Sequence, residues 1–267
     1  MPTWLRRIFL LAPPILVAAL NVAHPMARSP IYSGMVHHVD WWICLHLLNL
    51  VGFPLVGLAG YLLTQGIYHP AAIVSRVAVA VFIPIYAAFD ALTGIGTGTL
   101  VRLVSRLAPD QSTTFEPILT AYWTSGTITA IAVIGSIAWT IAMLSEAVAL
   151  TSPARRRPAA LLSVIIFFVT GWARTNLMSP DGSTISQAWW FVLVAIGLAT
   201  LIVAKPRLPA LLLVFSGVLF GAAHTMPAGP LGLACLFGAA LYVEFGPKNQ
   251  ANAQMCNAAL KAFGAAG

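Results

Sequence analysis

Trp41-Trp42-Ile43-Cys44-Leu45-His46-Leu47-Leu48-Asn49-Leu50-Val51-Gly52-Phe53-Pro54-Leu55-Val56-Gly57-Leu58-Ala59-Gly60-Tyr61-Leu62-Leu63 runs for 23 residues with no acidic or basic side chain except one histidine. As a helix rising about 1.5 Å per residue, it can cross the ~30 Å hydrocarbon core of a bilayer. The rest of the chain is of the same material. Of its 267 residues, 59% are hydrophobic and 8% charged, against about 25% charged in a soluble domain. Such a chain cannot clothe a water-facing surface, so its expected solvent is lipid, and helices are the expected way to satisfy its backbone there.

Outward from this run, seven more apolar stretches read as spans. They cover residues 7–24, with Pro13-Pro14 as a kink, then 71 through Asp90 towards 99, 118–150, 159–177, 187–204, 208–225 and 231–245. The run at 118–150 exceeds a bilayer core, so it should tilt or project. The spaced glycines of Thr93-Gly94-Ile95-Gly96-Thr97-Gly98-Thr99 are expected to loosen or end the third helix. Residues 107–117 are polar with two prolines and read as a loop; a re-entrant piece within 91–117 stays open. Arg155-Arg156-Arg157, Ser179-Pro180-Asp181-Gly182-Ser183, Lys205-Pro206-Arg207 and Pro227-Ala228-Gly229-Pro230 mark connections. A signal-peptide reading of the N-terminus lacks a good cleavage site.

Basic residues orient the bundle. With the N-terminus inside, the inner face holds Arg6, Arg7, Arg76, Arg155, Arg156, Arg157, Lys205, Arg207, Lys248 and Lys261, and the outer face Arg28, Arg102, Arg106 and Arg174. Cytoplasmic loops carry the excess of Lys and Arg. The expectation is an all-α integral membrane protein: one bundle of about eight transmembrane helices over residues 1–246, both termini cytoplasmic, with a polar cytoplasmic tail at 247–267. A bacterial inner membrane suits it. The net charge of +7 is accounted for by topology, so no nucleic-acid partner is expected. Oligomerisation stays open.

The same topology collects the titratable groups. His24, His37, His38, His46 and His224, with Asp40, Asp90, Asp110, Glu116 and Asp181, fall on the outer side. Ionisable groups at membrane depth are costly and face a partner or a cavity. Asp90 and His224 are the clearest cases. Arg174 is a candidate to neutralise Asp90. Trp42, His46, Asn49 and Phe53 recur at helical spacing and share a face, as do Ser216, Phe220 and His224, flanked by Gly217 and Gly221. Two such faces can bring His46 and His224 into one cavity, with His24 at the end of the first span.

Imidazoles gathered this way point to a transition metal or to heme b. Cofactor-binding candidates are His24, His46 and His224. As metal ligands, His37, His38 and Asp90 join them, and Asp90 is also the catalytic candidate. Zinc takes three such ligands and a water. Copper is suggested by thioethers near the histidines, at Met26, Met35 and Met226. Heme takes two axial histidines from facing helices, but no CxxCH is present for covalent attachment. Cys44, Cys235 and Cys256 are far apart in sequence and form no CxxC pair; Cys44 and Cys235 read as buried thiols in apolar runs. The Trp41-Trp42 and Trp189-Trp190 pairs read as an interfacial belt. Gly94-Ile95-Gly96-Thr97-Gly98 lacks a nucleotide-loop context and reads as a site of close backbone packing.

Phe220-Gly221-Ala222-Ala223-His224 resembles the FxxxH motif of the CAAX-protease membrane family, whose Glu-Glu-xxx-Arg motif has no counterpart here. Ser33-Gly34-Met35-Val36-His37 with Asp90 and His224 resembles, in residue types, the ceramidase and adiponectin-receptor hydrolases, without their late His-xxx-His. Neither resemblance assigns the chain to a family. The expected function is redox chemistry or metal handling at the outer face, with a metal ion or small molecule as ligand. The alternatives are a transporter whose polar path runs by Asp90, Arg174 and residues 93–99, and a structural accessory subunit.

Overall fold

The computed structural model describes residues 1–25, 30–107, 109–151, 153–177, 208–222 and 227–246. Among these there are helices and no strand. In chain order they are α1 (Thr3–Val22), α2 (Ile31–Met35), a 3-10 turn (Val36–His38), α3 (Val39–Leu63), α4 (Pro70–Phe89), a π-helix (Asp90–Gly96), α5 (Thr97–Val104), α6 (Pro109–Trp123) and α7 (Gly126–Leu150). A second 3-10 turn (Pro153–Arg155) leads to α8 (Arg156–Leu177), then come α9 (Leu208–Ala222) and α10 (Ala228–Phe245).

Five segments are long and apolar enough to cross a membrane: Thr3–Val22, Ile31–Leu63, Pro70–Val104, Thr114–Leu150 and Ala228–Phe245. Leu208–Gly221 is a shorter apolar helix. The span expected at 187–204 and the tail at 247–267 lie outside the described residues.

α1, α3, α4 and α7 alternate in direction. Asn21 of α1 pairs with Asn49 of α3, while Arg6 reaches the Leu62 carbonyl. Ser75 of α4 meets Glu146 of α7, and Tyr86 lies against Gly135. Arg6 and Arg7 at the start of α1 pair with Glu244 near the end of α10. One end of the bundle, the near end, therefore holds the start of α1 and the finish of α10. At the far end α1 finishes and α3 begins.

The core is aromatic. Phe53, Phe82, Tyr86, Trp139 and Phe220 are buried and pack ring against ring, with centroids 4.8–6.2 Å apart. Gly217 and Gly221 bring α9 onto α7, as expected of small residues between spans: a Cβ on Gly221 would lie 2.2 Å from Thr140 Oγ1. The opposite face of α3 exposes Leu47, Leu48 and Val51, as a lipid-facing surface should. Cys44 sits on that exposed face. It is not the buried thiol expected, because its position on the helix wheel points away from the Trp42–His46–Asn49 face.

Residues 107–117 are not all loop. Pro109 stands in the first turn of α6, where proline costs no hydrogen bond. Nor do residues 118–150 form one helix, since the chain breaks at Thr124 and Ser125. Ser125 caps α7 by accepting from the Ile128 N–H. A small second layer results at the far end. Ile31, Met35, Val39, Trp42, Ile43, Val101 and Leu119 bury one another there. Glu116 of α6 accepts from the first N–H groups of α2, at 2.6 and 2.9 Å. Arg102 pairs with Asp40 on the outside of this cap.

Candidate functional site

The junction between bundle and cap holds the buried polar cluster. His24 follows the end of α1, Trp42 and His46 lie one turn apart on α3, and Asp90 opens the π-helix after α4. All four are buried. The His24 and His46 rings meet edge to face with centroids 5.1 Å apart, and Trp42 touches both, at 5.0 Å from His24 and 4.5 Å from His46. His46 Nε2 stands 3.9 Å from Asp90 Oδ1.

Backbone bonds fix the tautomers. His46 Nδ1 lies 2.7 Å from the Trp42 carbonyl, and His24 Nδ1 lies 2.6 Å from the Pro25 carbonyl. A carbonyl only accepts, so each Nδ1 carries the proton and donates it. In each neutral ring Nε2 then holds the lone pair. Burial pushes the His24 imidazole below its ordinary pKa, against the opposing pull of the Pro25 carbonyl. This favours the neutral ring.

Asp90 continues the buried Phe82–Tyr86 face of α4 into this space, and the π-helix follows from it. Its wider turns leave carbonyls in need of donors, and neighbours supply them. Trp42 Nε1 donates to the Gly94 carbonyl at 2.7 Å, Tyr122 donates to the Leu92 carbonyl at 2.9 Å, and Thr93 donates back to the Phe89 carbonyl at 2.7 Å. Such turns inside longer helices are frequent at functional sites. Gly94 is required by close approach: a Cβ there would lie 1.9 Å from His46 Cδ2. The glycines thus widen the helix and admit neighbours, and the helix continues into α5. Among the described residues, buried Asp90 Oδ2 has no hydrogen-bond partner, and Thr97 Oγ1, seven residues on, is in the same state.

One turn deeper, Asn21 and Asn49 exchange amide hydrogen bonds of 3.1 and 3.3 Å, which closes the floor of the cluster. Below it lies the aromatic core, beginning with Phe53.

The expected site residues divide between this cluster and other places. His24, His46 and Asp90 come together. His37 and His38 are exposed on the 3-10 turn. His224 and the side chain of Arg174 lie outside the described residues, as do Met26 and Met226. Phe220, four residues before His224, packs on Phe53. Met35 is buried in the cap. Trp42 is part of the site and not of an interfacial belt, whereas Trp41 is exposed and donates to the Ala23 carbonyl at 2.9 Å. Among the described residues no three His, Cys, Asp or Glu side chains are grouped so as to hold a metal ion. What the cluster offers is two imidazole Nε2 atoms and one under-bonded carboxyl. Compared with known protein families, with curated proteins and with solved structures, the chain matches none.

Proposed function

We propose that this is a polytopic membrane protein in which His46 and Asp90, joined by His24 or by His224, bind a transition-metal ion, zinc or copper, near the outer face, and that its work is redox chemistry or metal handling there. The observation that carries the reading is the pair of Nδ1–H bonds to main-chain carbonyls. Metal-ligating histidines almost always donate their other ring N–H to such an acceptor, which sets the tautomer and aims the free nitrogen. The Asp90 Oδ2 left without a described partner adds a carboxyl oxygen that a bound cation would satisfy on displacing its proton. His224 is the proposed fourth ligand, or the third if His24 turns away. A bare ion suits the site better than heme b, because the Asn21–Asn49 pair closes the floor of the cluster and Trp42 packs against both imidazoles.

Eight spans with both termini cytoplasmic remain the proposed topology. The Arg6 and Arg7 pairs with Glu244 support an even number of crossings. Among the described residues the near end carries Arg6, Arg7, Arg76 and Arg155 to Arg157, and the far end Arg102 and Arg106, which favours the near end as cytoplasmic. α8 starts at the near end and is 22 residues long, enough to reach the far end, while α9 sets out again from the near end. This supports a crossing at 187–204.

The test is elemental analysis of the purified full chain after loading with zinc or copper. The expected result is about one bound ion per chain, lost in His46→Ala and Asp90→Asn and kept in a His37→Ala, His38→Ala variant. A preparation that stays metal-free after loading refutes the metal reading, and a Soret band would replace it with heme.

A second reading has its own observation. His46 and Asp90 lie 3.9 Å apart, and among the described residues no third ligand joins them. That pair suits a proton-coupled transporter with Asp90 as carrier. Metal-free protein that shows Asp90-dependent uptake in proteoliposomes would select it.

A further inference from the structure

A second buried carboxyl lies in the other half of the bundle, apart from the histidine cluster. Glu146 of α7 has no exposed surface, and among the described residues its one hydrogen bond is from Ser75 Oγ of α4, at 2.9 Å to Oε1. Oε2 is buried and meets no hydrogen-bond partner among the described residues. α3 closes the third side through Gly60, where a Cβ would lie 3.1 Å from Oε1, 3.3 Å from Met143 Cε and 3.5 Å from Val79 Cγ2. Ser75 precedes Asp90 by 15 residues along the chain, about 22 Å of helix. Phe82 and Tyr86 of the same helix, with Trp139 from α7, fill the distance between.

An ionised carboxylate at such a place needs a cation or several donors. Glu146 has one hydroxyl donor. Among the described residues, the charged groups nearest on the surrounding elements are engaged elsewhere or exposed. Arg76 donates to the Thr64 and Ile67 carbonyls. Arg156 donates to the Thr151 carbonyl. His69 Nδ1 accepts from the Ala71 N–H, Arg6 and Arg7 hold Glu244, and Tyr61 points to the exposed side of α3. α9 carries no titratable residue between 208 and 222. A metal cation would need a cage of oxygens, and here Met143, Val79 and Gly60 line the carboxyl.

We infer that Glu146 is a proton-binding site within the membrane, filled by a proton on Oε2 while Oε1 accepts from Ser75. Emptying it requires α3, α4 and α7 to part at Gly60, so proton release is tied to a change in how these three helices pack. The inference stands apart from the metal reading, since no residue is shared.

Infrared difference spectroscopy on the full chain in lipid bilayers at neutral pH tests it. The wild-type minus Glu146→Gln spectrum should show the C=O band of a protonated acid, shifted by deuterium exchange and unchanged in an Asp90→Asn background. Ser75→Ala should move that band to higher frequency by removing its hydrogen bond. Glutamine has the shape of the neutral acid, so Glu146→Gln should unfold at the wild-type temperature. If it does not fold, the Ser75→Ala shift carries the test. Loss of ionised carboxylate bands in the difference spectrum, or disappearance of the acid band on adding sodium chloride, overturns the inference.

Discussion

Gly94→Ala puts one methyl group at the tightest contact of the site. Glycine is a poor helix residue, and alanine in a relaxed helix gains about 1 kcal/mol over it. By propensity alone the variant should be more stable. The geometry says otherwise. The new Cβ would stand 1.9 Å from His46 Cδ2 and 2.1 Å from Cγ, where carbon atoms rest at about 3.5 Å or more. Either the imidazole or the π-helix must retreat by about 1.6 Å. The ring is held by its bond to the Trp42 carbonyl, and the π-helix is held by Trp42 Nε1 on the Gly94 carbonyl. Overpacking costs about 1–3 kcal/mol, and losing one of these hydrogen bonds costs about 1 more. Set against the propensity gain, the net expectation is about 2 kcal/mol of destabilisation and, under the proposed metal reading, less metal taken up on loading because His46 Nε2 is displaced. Gly126→Ala is the control, since a Cβ there meets nothing within 4 Å. The assay is thermal unfolding of both variants in the same detergent, with metal content measured on the same samples. The reasoning is refuted if Gly94→Ala unfolds at or above the wild-type temperature and retains its metal.

Asn21→Leu should cost about 1–3 kcal/mol by leaving the buried Asn49 amide without its partner. The Asn21→Leu, Asn49→Leu double variant should cost less than the two single changes together, and a double-mutant cycle by thermal unfolding reads the difference. Ser125→Ala removes the N-terminal cap of α7 and should lower stability by about 1 kcal/mol or less, with metal content untouched.

The bilayer explains why the spans were legible. A backbone in lipid must satisfy its own hydrogen bonds, so a long apolar run has one structural outcome, and α1, α3, α4, α7 and α10 fall within or close to the runs that announced them. The cap escaped for the converse reason. α2 and α6 are short and partly polar, and Pro109 and Pro117 resemble loop residues, although Pro109 stands in the first turn of α6, where proline is a start signal, and Pro117 lies inside the helix. Ser125 was a readable signal of the α6–α7 break, since a serine ahead of an apolar periodic run is a common helix start.

The site was legible in halves. Helical spacing placed Trp42, His46 and Asn49 on one face, and all three are buried. That face did not name its partners, because spacing within a helix carries no information about which helix lies opposite. The partner of Asn49 is Asn21, a residue at the same helical interval before His24 as Asn49 stands after His46. The two elements are antiparallel, so matched offsets of three residues put amide beside amide and imidazole beside imidazole. Asp90 follows the same spacing on α4, four residues after buried Tyr86 and eight after buried Phe82, and only the residues after it leave that pattern. In a straight α-helix a residue keeps the face set by its spacing from its neighbours. The π-helix inserts extra residues into the turn after Phe89 and re-aims the side chains beyond it. Gly94 gives room for that turn to close on His46. The glycine run and the acid before it are thus one device, and an acid at membrane depth directly ahead of spaced glycines is the signal by which such a device can be sought in a sequence.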